Sequence, residues 1–146
     1  MTDLTPGDLV EIHVVGDKKA YAQITHSHPS YPPVVRVIKG LYDTRPADLD
    51  ALVSGKTSFV AMIPLASAMT RAGATVEKLG SYQVPLEHRD FPTFRTPIRD
   101  KKGEIVYWWF WDGRGLTYDA ELTEAQSALP MREVMTGARF LELLAQ

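Results

Sequence analysis

The sequence predicts an α+β fold in which strands dominate. Ten Gly and ten Pro are spread through 146 residues and cut the chain into short elements. That spacing suits strands and short helices better than a helix bundle. Helix signals are confined to residues 46–54, 64–72 and 123–145. The expected architecture is a strongly bent antiparallel sheet, with short helices inserted in the middle and one at the C-terminus. A single domain over residues 1–146 is expected, because a 16.3 kDa chain buries roughly two-thirds of its unfolded surface.

Residues 9–15 form the first predicted strand, opened by Pro6-Gly7-Asp8. Gly16-Asp17 is a hairpin turn, and residues 20–25 return as the second strand. His26 to Pro33 holds three prolines, which lack the ladder donor, so it is a loop. Residues 34–38 are a β-branched third strand closed by Gly40. Curled together, these three strands resemble the start of a small SH3-like barrel, an analogy of fold alone. Asp43-Thr44 followed by Pro46 starts a helix over 47–53, and Gly55 stops it. Residues 57–63 are apolar on both faces and predict a buried central strand. A second short helix covers 64–72. Residues 75–79 and 82–85 are extended pieces around Gly80. Residues 93–99 and 104–111 make a hairpin about Asp100-Lys101-Lys102-Gly103. Residues 116–120 pair back after Asp112-Gly113-Arg114-Gly115. Thr123 and Gln126 have capping-box spacing and open a helix that ends before Pro130. The last helix, 137–145, takes Thr136 as its N-cap and docks through Ala138, Leu141 and Leu144 or Ala145.

Composition excludes several chemistries. There is no cysteine, hence no disulfide, thiolate metal site or cysteine nucleophile. Sixteen basic against eighteen acidic residues give a net charge of -2, which offers no electrostatic footprint for duplex DNA or an anionic membrane. No basic patch followed by an apolar run opens the chain. The longest apolar stretch, around residues 59–66, is far shorter than the ~20 residues of a membrane helix. A cytoplasmic protein is the expectation.

Few residues are arranged for catalysis. His26-x-His28 could share a metal from one strand face, with His13, His88 or Glu11 as further ligands. This would make a small metal-dependent enzyme. The pair lies where a strand gives way to a Pro-rich loop, so loop histidines bonded to backbone or water are the simpler reading. Ser54-Gly55-Lys56-Thr57 ends like a phosphate-binding loop, but Asp50 stands where the earlier glycine belongs and a strand follows. No metal or cofactor is expected.

Tyr107-Trp108-Trp109-Phe110-Trp111 is the most distinctive phrase, and it includes every Trp of the chain. In a strand, Tyr107, Trp109 and Trp111 share one face. The plain reading is a central strand with core on both sides. If one face is partly open, its aromatics become anchors for a protein partner. The expected anchors are Trp109 and Trp111 with the adjoining Asp112 and Arg114. A stacking platform for single-stranded nucleic acid is a further alternative, but Asp100, Glu104 and Asp112 interleave with the nearby Arg95, Arg99, Lys101 and Lys102.

Several phrases match a known pattern. They are Pro6-Gly7-Asp8-Leu9-Val10-Glu11-Ile12, Lys19-Ala20-Tyr21-Ala22-Gln23-Ile24, Val76-Glu77-Lys78-Leu79-Gly80-Ser81 with Val84-Pro85-Leu86, Asp90-Phe91-Pro92-Thr93-Phe94, and Leu129-Pro130-Met131-Arg132-Glu133-Val134. Together they span most of the chain, and it resembles the immunity protein 26 family of bacterial polymorphic toxin systems. Val76-Glu77-Lys78-Leu79-Gly80 stands where the pattern has a Trp before the Lys, and the loop from Pro29 to Pro33 is unusually Pro-rich. The resemblance implies a cytoplasmic protein that binds and neutralises a cognate toxin, without catalysis or cofactor. It transfers no site residue. A basic nuclease is one toxin class that a mildly acidic inhibitor suits through steering.

Overall fold

The computed structural model describes residues 4–14, 16–131 and 134–145. The chain divides into two compact units, Met1–Arg89 with Val134–Gln146, and Asp90–Glu133. The architecture is α+β, as the sequence predicts.

In the first unit, β1 (Asp8–Val14), β2 (Lys18–His26), β3 (Val34–Tyr42), β4 (Thr57–Met62) and β5 (Thr75–Ser81) form an antiparallel sheet in the order β4-β3-β2-β1-β5. The sheet is open rather than closed into a barrel. Its register shifts at Leu9/Val10, Lys19/Tyr21, Ile24/His26 and Val37/Ile38, and such bulges bend strands and raise their twist. Gly16 and Asp17 both take positive φ, as a tight hairpin between right-twisted strands requires. Val15, the expected end of the first strand, lies outside the described residues.

Both faces of the sheet are covered. Val10, Ile12, Ala22, Ile24, Val35 and Val37 pack with Leu65 and Met69 of α2 (Leu65–Arg71) and with Phe140 and Leu144 of α4 (Gly137–Leu144). On the other face Leu9, Tyr21 and Ile38 meet Leu52 and Val53 of α1 (Leu49–Val53). The central strands are therefore β1 to β3. The strand at 57–63, expected to be central, is an edge. Its apolar residues are accounted for by the buried Ala61 and Met62 at one end and by Phe59 against the core. Helix α4 starts at Thr136, whose Oγ1 accepts the Arg139 N–H. It docks through Phe140 and Leu144, one turn apart, whereas the expected Ala138 is exposed.

The second unit is a three-stranded antiparallel sheet of β6 (Phe94–Arg99), β7 (Ile105–Trp111) and β8 (Leu116–Asp119), with β7 in the middle. A short helix, α3 (Glu124–Ser127), follows, closed by the reciprocal Thr123–Gln126 capping box. No helix among the described residues is long and apolar enough to cross a membrane.

Gly137 opens α4 against α2. A Cβ there would stand 2.5 Å from the Ala68 carbonyl oxygen. Ala is otherwise the better helix former by ~1 kcal/mol, but backbone cannot yield as a flexible side chain does. Gly137→Ala should destabilise the fold by ~1–3 kcal/mol in urea denaturation. A stabilised variant would show that α4 docks differently.

Candidate functional site

Two places concentrate chemistry, one in each unit. In the first unit, Glu11 sits mid-sheet, opposite Tyr21 on β2 and Glu77 on β5. Its side chain is 1 % exposed. It accepts hydrogen bonds from Tyr21 Oη (2.8 Å), Arg45 Nε (2.8 Å) and Arg45 Nη2 (3.1 Å). His13 Nε2 lies 3.1 Å away, and Arg45 Nη2 also donates to Glu77 (2.8 Å). The Arg45 guanidinium holds the Glu11 carboxyl down at about 2, against the opposing cost of burial. Burial and the neighbouring Glu11 carboxylate push the Tyr21 phenol well above its usual range.

Glu11, His13 and Glu77 are also the one group of metal-type ligands that converges among the described residues, with their atoms within 4.8 Å of one another. The cation they hold is already supplied by the protein. Arg45 bridges both carboxylates, so a metal ion would have to displace a bidentate guanidinium. The geometry is that of a structural ion cluster tying the β3–α1 loop to the sheet.

His26 and His28 belong to no converging group of three metal-type ligands among the described residues. His26 Nε2 lies 2.8 Å from the Arg89 carbonyl and its Nδ1 3.0 Å from Thr25 Oγ1, while His28 Nδ1 accepts the Ser30 N–H. His88 joins a different network. Arg36 Nη1 donates to Thr57 Oγ1, so the Thr57 hydroxyl is free to donate to His88 Nε2, 2.7 Å away. Burial and the Arg36 charge both hold the His88 imidazole below its usual range.

In the second unit, strand pairing sets out β7. Trp111 lies between Phe94 and Leu116, Trp109 between Thr96 and Tyr118, and Tyr107 opposite Ile98. The shared face is buried at one end and open at the other. Trp111 is 7 % exposed and packs on Phe91 (centroids 5.4 Å apart) and Phe94 (5.9 Å). Trp109 is partly buried and lines a groove of about 490 Å³ with Val106, Tyr107, Tyr118 and Ala120. Tyr118 is 73 % exposed, and its ring meets Tyr107 edge-on at 6.0 Å. The opposite face carries Trp108 beneath the Arg95 guanidinium, 5.0 Å from its centroid.

The four expected anchors therefore differ in setting. Trp109 borders the groove and Trp111 belongs to the core of its unit. Asp112 and Arg114 are exposed in the β7–β8 turn. There Asp112 Oδ1 accepts the backbone N–H groups of Gly115 (3.0 Å) and Arg114 (2.9 Å), and these hold its carboxyl below the usual range. Tyr118 was not anticipated as a groove residue. The turn length carried the signal, since a four-residue loop over 112–115 places Trp111 opposite Leu116 and hence Trp109 opposite Tyr118. Two polar atoms of this row, Trp109 Nε1 and Thr96 Oγ1, are buried without a hydrogen-bond partner.

The Glu11 cluster sets an acid limit. Its carboxyl lies at about 2 in the fold against 4.5 for a free one, which corresponds to ~3 kcal/mol of stability. That stability is complete above pH ~4.5 and is lost as pH falls toward ~2. Urea denaturation from pH 7 to 2 should show this loss in the wild type and a flatter profile in Glu11→Gln. Equal slopes would remove Glu11 as the cause. Zinc or chelator should leave the wild-type Tm unchanged, while Arg45→Ala should acquire a zinc-dependent rise; a zinc-stabilised wild type would overturn the structural assignment.

The aromatic strand sets a contrast. Trp111→Ala should cost ~3–5 kcal/mol as a core truncation, and Tyr118→Ala within ~0.5 kcal/mol as a surface change. Denaturation midpoints in the reverse order would contradict the placement of these two rings.

Comparison of the chain with protein-family models, with curated proteins and with solved structures finds no match.

Proposed function

We propose that this chain is a binding module that occludes a partner protein, acting as an immunity protein that neutralises a cognate toxin in the cytoplasm without catalysis. The observation that carries the reading is the groove on the second unit, where Tyr107, Trp109 and Tyr118 meet beside the exposed Val106. Aromatics grouped on a sheet face, with Tyr118 largely exposed and Tyr107 and Trp109 partly so, suit an interface. A stable complex buries ~800 Å² per partner, and a few Trp and Tyr anchors supply most of its energy.

The family resemblance supplies the partner class, and the net charge of -2 is compatible with a basic nuclease approaching by steering. Within this reading Trp109 is the anchor shared with the sequence analysis. Tyr118 and Tyr107 take the place of Trp111 beside it, and Asp112 and Arg114 flank the buried end of the same sheet.

The experiment is co-expression with a toxin-like reading frame encoded next to this one. The chain should rescue cells and co-purify with the toxin. Tyr118→Ala should weaken the complex roughly 30-fold, the effect of losing one ~2 kcal/mol anchor. Absence of both rescue and co-purification would refute the immunity reading.

A further inference from the structure

The stretch that leads out of the first unit is held to its sheet by polar contacts. Leu86–His88 is a single 3-10 turn in which the His88 N–H meets the Pro85 carbonyl (2.9 Å), and the Arg89 N–H meets that of Leu86 (3.2 Å). No residue of the turn is buried, and its one apolar side chain, Leu86, is 74 % exposed. Arg89 is the last residue before the second unit begins at Asp90. One turn has no stability of its own, so its contacts with the sheet decide whether it stays. Two histidines make such contacts. His88 Nε2 lies 2.7 Å from Thr57 Oγ1 at the start of β4, and His26 Nε2, at the end of β2, lies 2.8 Å from the Arg89 carbonyl.

The two rings have opposite roles. A carbonyl only accepts, so His26 is the donor in its contact, and a second proton leaves that role unchanged. At His88 the direction is set by Arg36, whose Nη1 donates to the same Thr57 hydroxyl at 3.1 Å. A guanidinium has no acceptor to offer in return. The hydroxyl hydrogen is left for His88 Nε2, which is then the bare nitrogen of a neutral ring.

We propose that His88 is an acid-sensitive latch, which in its neutral form holds the Leu86–His88 turn on β4 through Thr57 and on protonation releases it. The proposal rests on neither the aromatic groove nor any partner. A proton on Nε2 turns the acceptor into a donor, aimed at a hydroxyl that already accepts from Arg36, and sets two cations on one oxygen. The charged and titratable groups that face His88 are Arg36 from β3, His26 from β2 and Glu87 on its own turn. Arg36 and His26 oppose protonation, and Glu87 favours it. Glu87 also borders, with Val84 and Pro85, a cleft of about 400 Å³ whose far wall is Asp50, Val53 and Ser54, so release remodels that cleft. Burial acts in the same direction as Arg36 and is the larger influence, and the latched ring protonates below its ordinary 6.5. The latch is therefore closed above pH ~6.5 and weakens by up to about tenfold for each pH unit below it. This window lies well above the one set by the Glu11 carboxyl, at about 2.

The test is NMR of the full chain labelled with nitrogen-15. At pH 7.5 the His88 ring should carry its proton on Nδ1. Hydrogen exchange at the His88 and Arg89 amides, corrected for the intrinsic rate at each pH, should accelerate severalfold from pH 8 to 5.5, about tenfold at most. Amides of the central strands should stay protected throughout. His88→Gln keeps an acceptor for the Thr57 hydroxyl and cannot titrate, so its turn should exchange slowly at both ends of the range. His88→Ala should exchange fast at both. A proton on Nε2 at pH 7.5, or no acceleration in the wild type, would overturn the proposal. So would an acceleration that persists in His88→Gln, which would assign it to another group, or an alanine variant as protected as the wild type at pH 8.

Discussion

Three ionisable side chains, Asp8, Glu11 and Arg36, are buried in the five-stranded sheet, and the placing of the segment around α1 follows from how Glu11 and Arg36 are paired. Glu11 on β1 and Arg36 on β3 are both essentially inaccessible. A charge taken out of water is tolerated only when its hydrogen bonds are met. Glu11 is met by Tyr21 from the next strand and by Arg45 from the loop after β3. Arg36 is met by Gln23 on β2, by Thr57 on β4 and by the Val53 carbonyl at the end of α1. The two charges thus hold both ends of the segment that contains α1. One fixes the loop that enters the helix and the other fixes its last turn. A helix of five residues has too few internal bonds to persist alone. Here its position is set by partners in the sheet and by Leu52 and Val53 on the Leu9–Tyr21–Ile38 cluster.

The second unit is organised by ring packing rather than by charge. Phe91, Phe94 and Trp111 form its closed end, with centroid separations of 5.4 to 6.2 Å. The turn after β7 is shaped around them. Gly113 has φ +90°, and a Cβ there would stand 2.8 Å from the Phe91 ring. Any other residue would meet both backbone strain and a clash. Three strands alone make a thin sheet, and both faces of this one carry aromatics. At the far end Trp109 is only partly buried, and the groove opens there.

Much of the fold was legible where the deciding chemistry is local. The Gly16-Asp17 turn, the Thr123–Gln126 capping box and the Thr136 N-cap are each specified within a few residues, and each is present. The central strands were not legible, because an apolar run does not say which neighbours will cover it. The run at 57–63 is apolar on both faces and reads as a central strand, yet it is an edge. The strands that are central carry Glu11, Gln23 and Arg36, polar residues made buriable by partners distant in sequence: Arg45 for Glu11, Val53 and Thr57 for Arg36, and the Tyr82 carbonyl for Gln23. The docking face of α4 held at Leu144 and Leu141 but not at Ala138, and for a smaller reason. Ala138 and Phe140 both fit a helical stripe with some of the leucines, and the larger ring took the core. In the aromatic strand the alternation was correct. The difference between Trp109 and Trp111 depends on Phe91 and Phe94, which strand pairing brings to one end only.

The accounting of buried polar atoms separates the two units. In the first, the charged and polar groups buried in the sheet find partners, including Asp8, which accepts the Thr5 N–H and meets Lys78 at 3.3 Å. The convergence of Glu11, His13 and Glu77 is therefore saturated from within, and its chemistry is spent on holding the fold. In the second unit Thr96 Oγ1 and Trp109 Nε1 are left without partners in adjacent positions of one sheet row. An unmet buried donor costs ~1–3 kcal/mol, and a phenylalanine at position 109 would avoid that cost while keeping the ring. The indole's larger apolar area, packed in its sheet row, offsets that cost. Among the described residues the unmet polar atoms thus lie in the aromatic sheet of the second unit, while the richer cluster of titratable groups in the first unit is met from within.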